Sequence, residues 1–264
     1  MSIQSVERAL DILELFSPSR RRLGISEISR EMGLPKTTVH GLVTTLCKRG
    51  FLHRDPDTRK YELGLKLYEL GAVLASCLEV NQRSAPFVQR LAREVRLMAR
   101  VALWDGDTAL VTLSVHPRSR ALQFPQIGPR IPGYCSAIGK AVLAFLPPEE
   151  LKAYLRRNRL VRYTPRTITE EEQLLQELDN TRMRGYALDR GEIVSGLACI
   201  GAPIRRSDGQ PIASISVSGD PRRILGETLE TLAERLLHTA EEVSREMGYI
   251  PGSLGSRAAD HSQP

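Results

Sequence analysis

Residues 26–51, SEISREMGLPKTTVHGLVTTLCKRGF, allow few local structures. Ser26 is placed to cap a first helix, its hydroxyl accepting from a free backbone N–H one turn in. Gly33 suits the left-handed residue that ends such a helix. Pro35 suits the first position of the next, where a missing N–H costs nothing. In that second helix Val39, Leu42, Val43 and Leu46 recur at i, i+3, i+4, i+7 and make one apolar face. Lys36, Thr37, Thr38, His40, Gly41, Thr44, Thr45 and Lys48 fall mainly on the other side. Small hydroxyls and cations at a helix N-terminus are what entry into a DNA major groove requires.

An ordinary helical bundle would explain two such helices equally well. The next residues discriminate. Gly50 ends the second helix, 51–55 (FLHRD) reads as a strand, Asp55-Pro56-Asp57-Thr58 is turn chemistry, and 59–63 (RKYEL) returns as a strand. Helix, turn, helix and basic hairpin together make a winged helix. Arg54, Arg59 and Lys60 lie on or beside the wing, where phosphates pass. The cations of 17–22 (SPSRRR) suit either a solvated loop or a phosphate strand.

The chain as a whole has a mild basic excess. Its 264 residues carry a net charge of +6 and a pI near 9.3, compatible with nucleic acid without demanding it. Glu7, Asp11 and Glu14 break any signal-peptide run, and the longest apolar run, 141–146, is too short for a bilayer. Cys47, Cys77, Cys135 and Cys199 form no close pair, which fits a reducing compartment. The expected location is the cytoplasm, with no membrane partner and no cofactor.

In chain order, 6–16 reads as a helix capped by Ser5, and 63–80 as a leucine-rich helix with apolar side chains on several faces. Residues 81–86 (NQRSAP) read as a boundary, followed by a helix over 87–96. Residues 98–104 and 109–115 predict a hairpin turned at Asp105-Gly106-Asp107. A strand is expected at 121–124, an ordered loop at 125–133, and a helix at 136–146 with Ser136 as cap. Residues 149–155 follow as a helix. Thr169 with Glu172 predicts a capping box for a helix over 170–184. Strands are expected at 186–189, 197–203 and 211–218, then a long amphipathic helix carrying Leu225, Leu229, Leu232, Leu236, Ala240, Val243 and Met247 in one stripe. This is α+β: an antiparallel sheet covered by helices. The domains expected are 1–63, winged helix-turn-helix; 64–81, linker helix; 82–250, effector-binding and oligomerisation; and 251–264, a disordered tail.

SVERALDILELF, SEISREMGLPKTTVHGLVTTL, KYELGLKLYELG, SAIGKAVLAFLP, RGYALDRGE, SGLACIGAPI and ASISVSG, in this order, resemble the IclR-type bacterial transcription regulators, over nearly the whole chain. The resemblance implies a winged-helix DNA-binding domain, a linker helix and a GAF-like effector domain. It also implies a homodimer or homotetramer on a pseudo-palindromic operator in double-stranded DNA, answering to a small metabolite, commonly an organic or aromatic acid. Two stretches depart from the family pattern. The position after His40 is often arginine and is Gly41 here, and a Leu-His-Ala type run is replaced by Gly133-Tyr134-Cys135.

The family pocket maps to Ala137 and Ile138, to Asp189, Leu197 and Cys199, and to Ser216 and Ser218. Two of these fit by spacing as well, since serines two apart on a strand share a face. As plain structure they would be a solvated sheet face with a core cysteine. With only Arg190 and Lys140 as cations in those segments, backbone N–H groups at the start of 136–146 and the two hydroxyls are expected to hold a carboxylate, with Tyr134 as cover. A Cys135 nucleophile lacks any placeable base, and Asp189, Glu192 and Cys199 lack zinc-site spacing. Neither an enzyme nor a metal protein is expected. The alternative is a GAF-like sensing or catalytic module that dimerises through a helical N-terminus.

Overall fold

The computed structural model describes residues 2–117 and 130–251. The expected strand at 121–124, most of the expected loop at 125–133 and the tail from 252 onward fall outside them. The chain divides into two compact units between Cys77 and Leu78.

The first unit holds α1 (Gln4–Glu14), α2 (Ile25–Met32), α3 (Lys36–Lys48), β1 (Leu52–Arg54), β2 (Tyr61–Leu63) and α4 (Leu65–Cys77). Helix α3 is a poor helix by composition. Its six β-branched residues, Thr37, Thr38, Val39, Val43, Thr44 and Thr45, each cost up to about 0.7 kcal/mol relative to alanine. Burial wins: Val39, Val43 and Leu46 are sealed against Ile12, Leu23, Ile28, Leu52 and Tyr61, at roughly 1.5–3 kcal/mol each. β1 and β2 pair antiparallel, Leu52 opposite Leu63, and Leu23 adds a bridge to Tyr61.

The helix starts differ from expectation. Gly24, not Ser26, caps α2; its N–H donates to Glu27 Oε2 at 2.6 Å, and Ser26 sits exposed within the first turn. Ile3 rather than Ser5 precedes α1, and Pro35 stands just before α3. For α1 and α2 the extended residue lies two positions upstream of the side chain chosen from sequence, and Pro35 is the residue before α3 rather than its first.

The second unit opens with α5 (Glu79–Val95), which runs straight through the expected boundary and contains Pro86. Its buried stripe, Val80, Ser84, Val88, Leu91 and Val95, begins before the proline, and that packing overrides the lost backbone bond. The expected 63–80 helix instead breaks at Leu78, which is extended.

A six-stranded antiparallel sheet follows, in the order β5-β4-β3-β8-β7-β6. Its strands are β3 (Met98–Trp104), β4 (Thr108–Val115), β5 (Arg130–Pro132), β6 (Ala187–Asp189), β7 (Ala198–Arg205) and β8 (Pro211–Gly219). Strand β5 lies where the sequence suggested loop. On one sheet face Ala99, Val101, Ile200, Ile215 and Val217 pack with α5 and α10 (Leu229–Glu246) in the larger core. The short α9 (Pro221–Ile224) precedes α10, so the stripe expected from Leu225 starts at Leu229.

The other face receives α6 (Ala137–Leu143), behind which α7 (Pro148–Arg157) and α8 (Glu171–Arg184) build a second core. Ser136 caps α6 as expected, accepting from Gly139 N at 3.1 Å. The capping box on α8 is absent: Glu170 is its cap residue, and Thr169 Oγ1 accepts from Arg162 instead. No helix among the described residues is long and apolar enough to cross a membrane.

Glycines set how closely α6 approaches. A Cβ on Gly201 of β7 would lie 2.5 Å from the Ala137 carbonyl, and one on Gly139 would lie 2.3 Å from Gly133 Cα. The clashing atoms are backbone, so relief requires moving α6 itself. Gly201→Ala is expected to destabilise the protein by about 1–3 kcal/mol, read as a lower urea midpoint with unchanged slope.

Candidate functional site

Two places on the chain gather the residues singled out from sequence. In the first unit, Lys36, Thr37, His40, Gly41 and Lys48 are exposed along α3, with Thr38 and Thr44 half-buried beside them. Helical spacing puts Thr37, Gly41, Thr44 and Lys48 on one stripe. At Gly41 a Cβ would meet nothing within 4 Å, so the surface there is open. Arg54 and Arg59 are exposed on the hairpin, and Arg59 takes a left-handed backbone, φ 57°, in its turn.

Several basic side chains are committed within the unit. Lys60 Nζ lies 3.2 Å from the Glu27 carboxylate, which ties the wing to the start of α2. The N–H of Gly24 and then Lys60 hold the Glu27 carboxyl below its usual range. Arg22 reaches Asp55 at 2.8 Å and Glu62 at 3.2 Å, and Arg20 reaches Glu31 at 3.2 Å. Arg22 thereby braces the wing, while Arg20 ties the same segment to α2. Asp55 also accepts from Asp57 N and Thr58 N, fixing the hairpin turn.

In the second unit one cavity of about 390 Å³ is lined by all seven residues expected there. Sheet register explains the convergence. Asp189, Cys199 and Ser218 stand opposite one another on β6, β7 and β8; Gly201, Ser216, Arg100 and Ser114 make the next row on the same face. Ala137 and Ile138 come from the start of α6, and Ile193, Val194 and Leu197 from the loop between β6 and β7.

That loop is held firmly. Asp189 Oδ1 accepts from Gly191 N at 2.9 Å and Glu192 N at 2.7 Å, and the hydroxyls of Thr164 and Thr167 donate to the Gly191 and Glu192 carbonyls at 2.8 and 2.6 Å. Beneath it Lys140 of α6 meets Glu192 at 2.6 Å, both side chains sealed from solvent. Burial raises the Glu192 and Asp189 carboxyls above their ordinary range, with Lys140 opposing the rise. Burial also pushes the Cys199 thiol up to about 12, with Asp189 adding to the rise; Cys199 Sγ accepts from Ser218 Oγ at 3.1 Å.

Three expectations are corrected. Tyr134 does not cover the cavity. It is buried, its hydroxyl donating to Val161 O at 2.7 Å, and the half-exposed Tyr163 lies at the cavity instead. Cations are present beyond Arg190 and Lys140: Arg100 lines the wall and Arg130, ion-paired with Asp105, the rim. Arg100 escaped notice because its strand lies far from the other pocket segments in sequence. Helix α6, seven residues long, spends the N–H of Gly139 on its own cap, which weakens the case for an anion at its tip. The missed Lys140–Glu192 pair did leave a signal, a lone lysine inside the apolar run SAIGKAVLAFL.

The Gly133-Tyr134-Cys135 departure has a packing reason. A Cβ on Gly133 would lie 2.8 Å from the Trp104 ring, and Tyr134 N donates to Tyr154 Oη at 3.1 Å. Cys135 is fully buried, its thiol pushed up to about 12 by burial, so no thiolate nucleophile stands there at neutral pH. Among the described residues no three His, Cys, Asp or Glu side chains cluster as metal ligands would.

Comparison with known proteins agrees with both units. Residues 5–56 match the IclR helix-turn-helix domain and residues 72–245 the bacterial transcriptional regulator IclR C-terminal domain. The HTH-type transcriptional regulator XynR of Escherichia coli (strain K12) is 34% identical over 247 residues, 94% of this chain and 98% of that protein. Among solved structures, the Thermotoga maritima IclR aligns with a TM-score of 0.74 at 29% identity, over 94% of this chain and all of that one. An IclR homolog from Microbacterium hydrocarbonoxydans, crystallised with 4-hydroxybenzoate, gives 0.78 at 27% identity, over 92% of this chain and 99% of that one. These relatives are regulators of transcription and not enzymes, and with both domain models matched in order the chain belongs to the IclR family of bacterial transcriptional regulators.

Proposed function

We propose that the chain acts as a homodimer or a pair of homodimers on a pseudo-palindromic operator, and that a small carboxylate in the second-unit cavity changes its hold on DNA. The observation that carries the reading is the two-sidedness of α3: Val39 and Val43 are completely buried while Lys36, Thr37, His40 and Lys48 face solvent. A helix so anchored can present its polar side without unfolding its domain. Thr37, Thr38 and His40 face base edges in this reading, with Thr44 and the gap at Gly41 alongside. Lys36, Lys48, Arg54 and Arg59 face phosphates. Lys60, spent on Glu27, and Ser26, off the cap, carry less of the contact than their positions in sequence suggested. Residues 1–77 are the DNA-reading part and the remainder the sensing part.

One wing domain reads one half-site, so two must be held at a set spacing. Exposed apolar side chains on α1 and α4 suit that contact: Val6 is 53% exposed, Leu65 80%, Val73 62% and Leu74 60%. No residue of α4 is buried in the single chain. The carboxylate reading draws on the hydroxyls and arginine at the cavity and on the 4-hydroxybenzoate held by the Microbacterium homolog.

Fluorescence anisotropy with the DNA upstream of the chain's own gene tests the first part. Arg59→Ala is expected to weaken binding to all sequences alike and to lower the salt slope by about 0.9. Thr37→Ala should cost about 1–3 kcal/mol on the operator alone. An equal loss on operator and random DNA for Thr37→Ala, or a loss confined to the operator for Arg59→Ala, would overturn the role assigned to that residue.

Sedimentation tests the second. Leu70→Glu with Leu74→Glu should yield smaller species that bind operator poorly while keeping their helical circular dichroism. An unchanged oligomer would remove α4 from the interface.

Calorimetry with 4-hydroxybenzoate tests the third. Ser216→Ala with Ser218→Ala should weaken the ligand by tenfold or more and leave unliganded operator binding intact; undiminished affinity would place the effector elsewhere.

A further inference from the structure

We infer that the cavity takes an acid whose two polar ends are apart, with its carboxylate on Arg100 and a hydroxyl toward Asp189. This rests on the reading of the cavity as the effector site and adds an orientation and a selecting residue.

The two rows of the sheet differ in what they can offer. In the first, Ser218 spends its proton on Cys199 and presents only lone pairs, while Asp189, already accepting two backbone N–H groups, is an acceptor. A ligand arriving there must bring a donor. In the second row the Arg100 guanidinium can only donate, Ser216 opposite it faces the cavity, and the adjacent Ser114 Oγ is buried without a partner among the described residues. That end suits an anion, and an arginine fork accepts a carboxylate on two parallel bonds.

The ends are three strands apart. At about 4.8 Å per strand, and with a two-residue offset of about 7 Å along the strands, the Asp189 and Arg100 backbones lie about 16 Å from one another. Ile138, Ile193 and Leu197 line the space along this path. A two-carbon hydroxy acid cannot engage both rows, whereas an aromatic ring or a short apolar spacer between the groups can. The guanidinium is half-buried and its charge is opposed by that burial, so a carboxylate beside it is favoured more strongly than at an exposed arginine.

The test is calorimetry on the full chain with five probes. 4-Hydroxybenzoate and 4-hydroxyphenylacetate carry both ends, benzoate lacks the donor, 4-hydroxybenzamide lacks the charge, and salicylate has its groups adjacent. Wild type is expected to bind both para-hydroxy acids, with the other three at least tenfold weaker. Arg100→Gln should bring the hydroxy acids to the level of the amide and leave the amide unchanged; Arg100→Lys should recover part of the preference. A circular dichroism melt of each variant separates loss of the fold from loss of the contact. A preference for acid over amide that survives in Arg100→Gln overturns the assignment, as does an amide that binds wild type as tightly as the acid. Failure of both hydroxy acids to bind wild type overturns the ligand class. Failure of wild type to bind operator DNA would strike the regulator reading alone, since these titrations contain no DNA.

Discussion

The ion pair between Lys140 and Glu192 sits under the cavity with neither side chain reaching solvent. Stability does not explain it. Desolvating two charges costs several kcal/mol each, and apolar replacements for such pairs are often neutral or better. What the pair provides is position. It joins α6 to the loop after β6, so that Asp189 at one end of that loop and Ala137 at the helix start keep a common frame. Gly201 and Gly139 supply the complementary condition, letting backbone meet backbone where any side chain would intrude, and Gly133 leaves room for the Trp104 ring. An attraction without those glycines would have no short path to act over, and without the pair the loop, still held by Asp189, Thr164 and Thr167, would lose its ionic tie to α6.

How far the sequence showed this in advance depends on whether the information was local. The α3 pattern was legible because burial and exposure alternate with a helical period inside thirteen residues. The hairpin and the strand pairs on either side of their Asp-Gly turns were legible for the same reason. Cap positions were not, because Ser5, Ser26 and Thr169 have the right chemistry one or two residues from where the chain actually turns extended. Pro86 misled in the opposite sense: a local breaker lost to the apolar stripe that starts at Val80. Arg100 was invisible as a pocket residue. Only the pairing of β3 with β8, more than a hundred positions apart, sets it across from Ser216.

The same distinction separates the two classes of cation. On sequence the arginines of 20–22 suit either a solvated loop or a phosphate strand, and Lys60 a phosphate contact, by proximity to the wing. In the fold Arg20, Arg22 and Lys60 reach Glu31, Asp55, Glu62 and Glu27. Exposed pairs of this kind contribute little apiece, roughly 0–1 kcal/mol. Lys60 holds the hairpin against the start of α2, Arg22 ties it to the segment before that helix, and Arg20 ties that segment to the end of α2, which leaves Arg54 and Arg59 exposed on the wing. Charge count alone therefore overstates the electrostatic footprint of this domain.

The sheet face beside Arg100 carries a cost that the fold alone would not require. Ser114 Oγ is buried without a partner among the described residues, and such a group forfeits about 1–3 kcal/mol of solvation. An apolar residue at that position would pack the sheet face more cheaply. A polar wall becomes favourable when something polar fills the space, and a ligand that binds only the folded cavity stabilises it by RT ln(1 + [L]/Kd). Tight binding by itself changes no equilibrium between two forms of a regulator; the ligand must fit one form better. A two-ended ligand meets that condition in a way a one-ended ligand does not. It spans β6 to β3 and touches the loop that Lys140 and Glu192 hold, so any form of the protein in which those strands and that loop shift relative to one another loses one end of the contact.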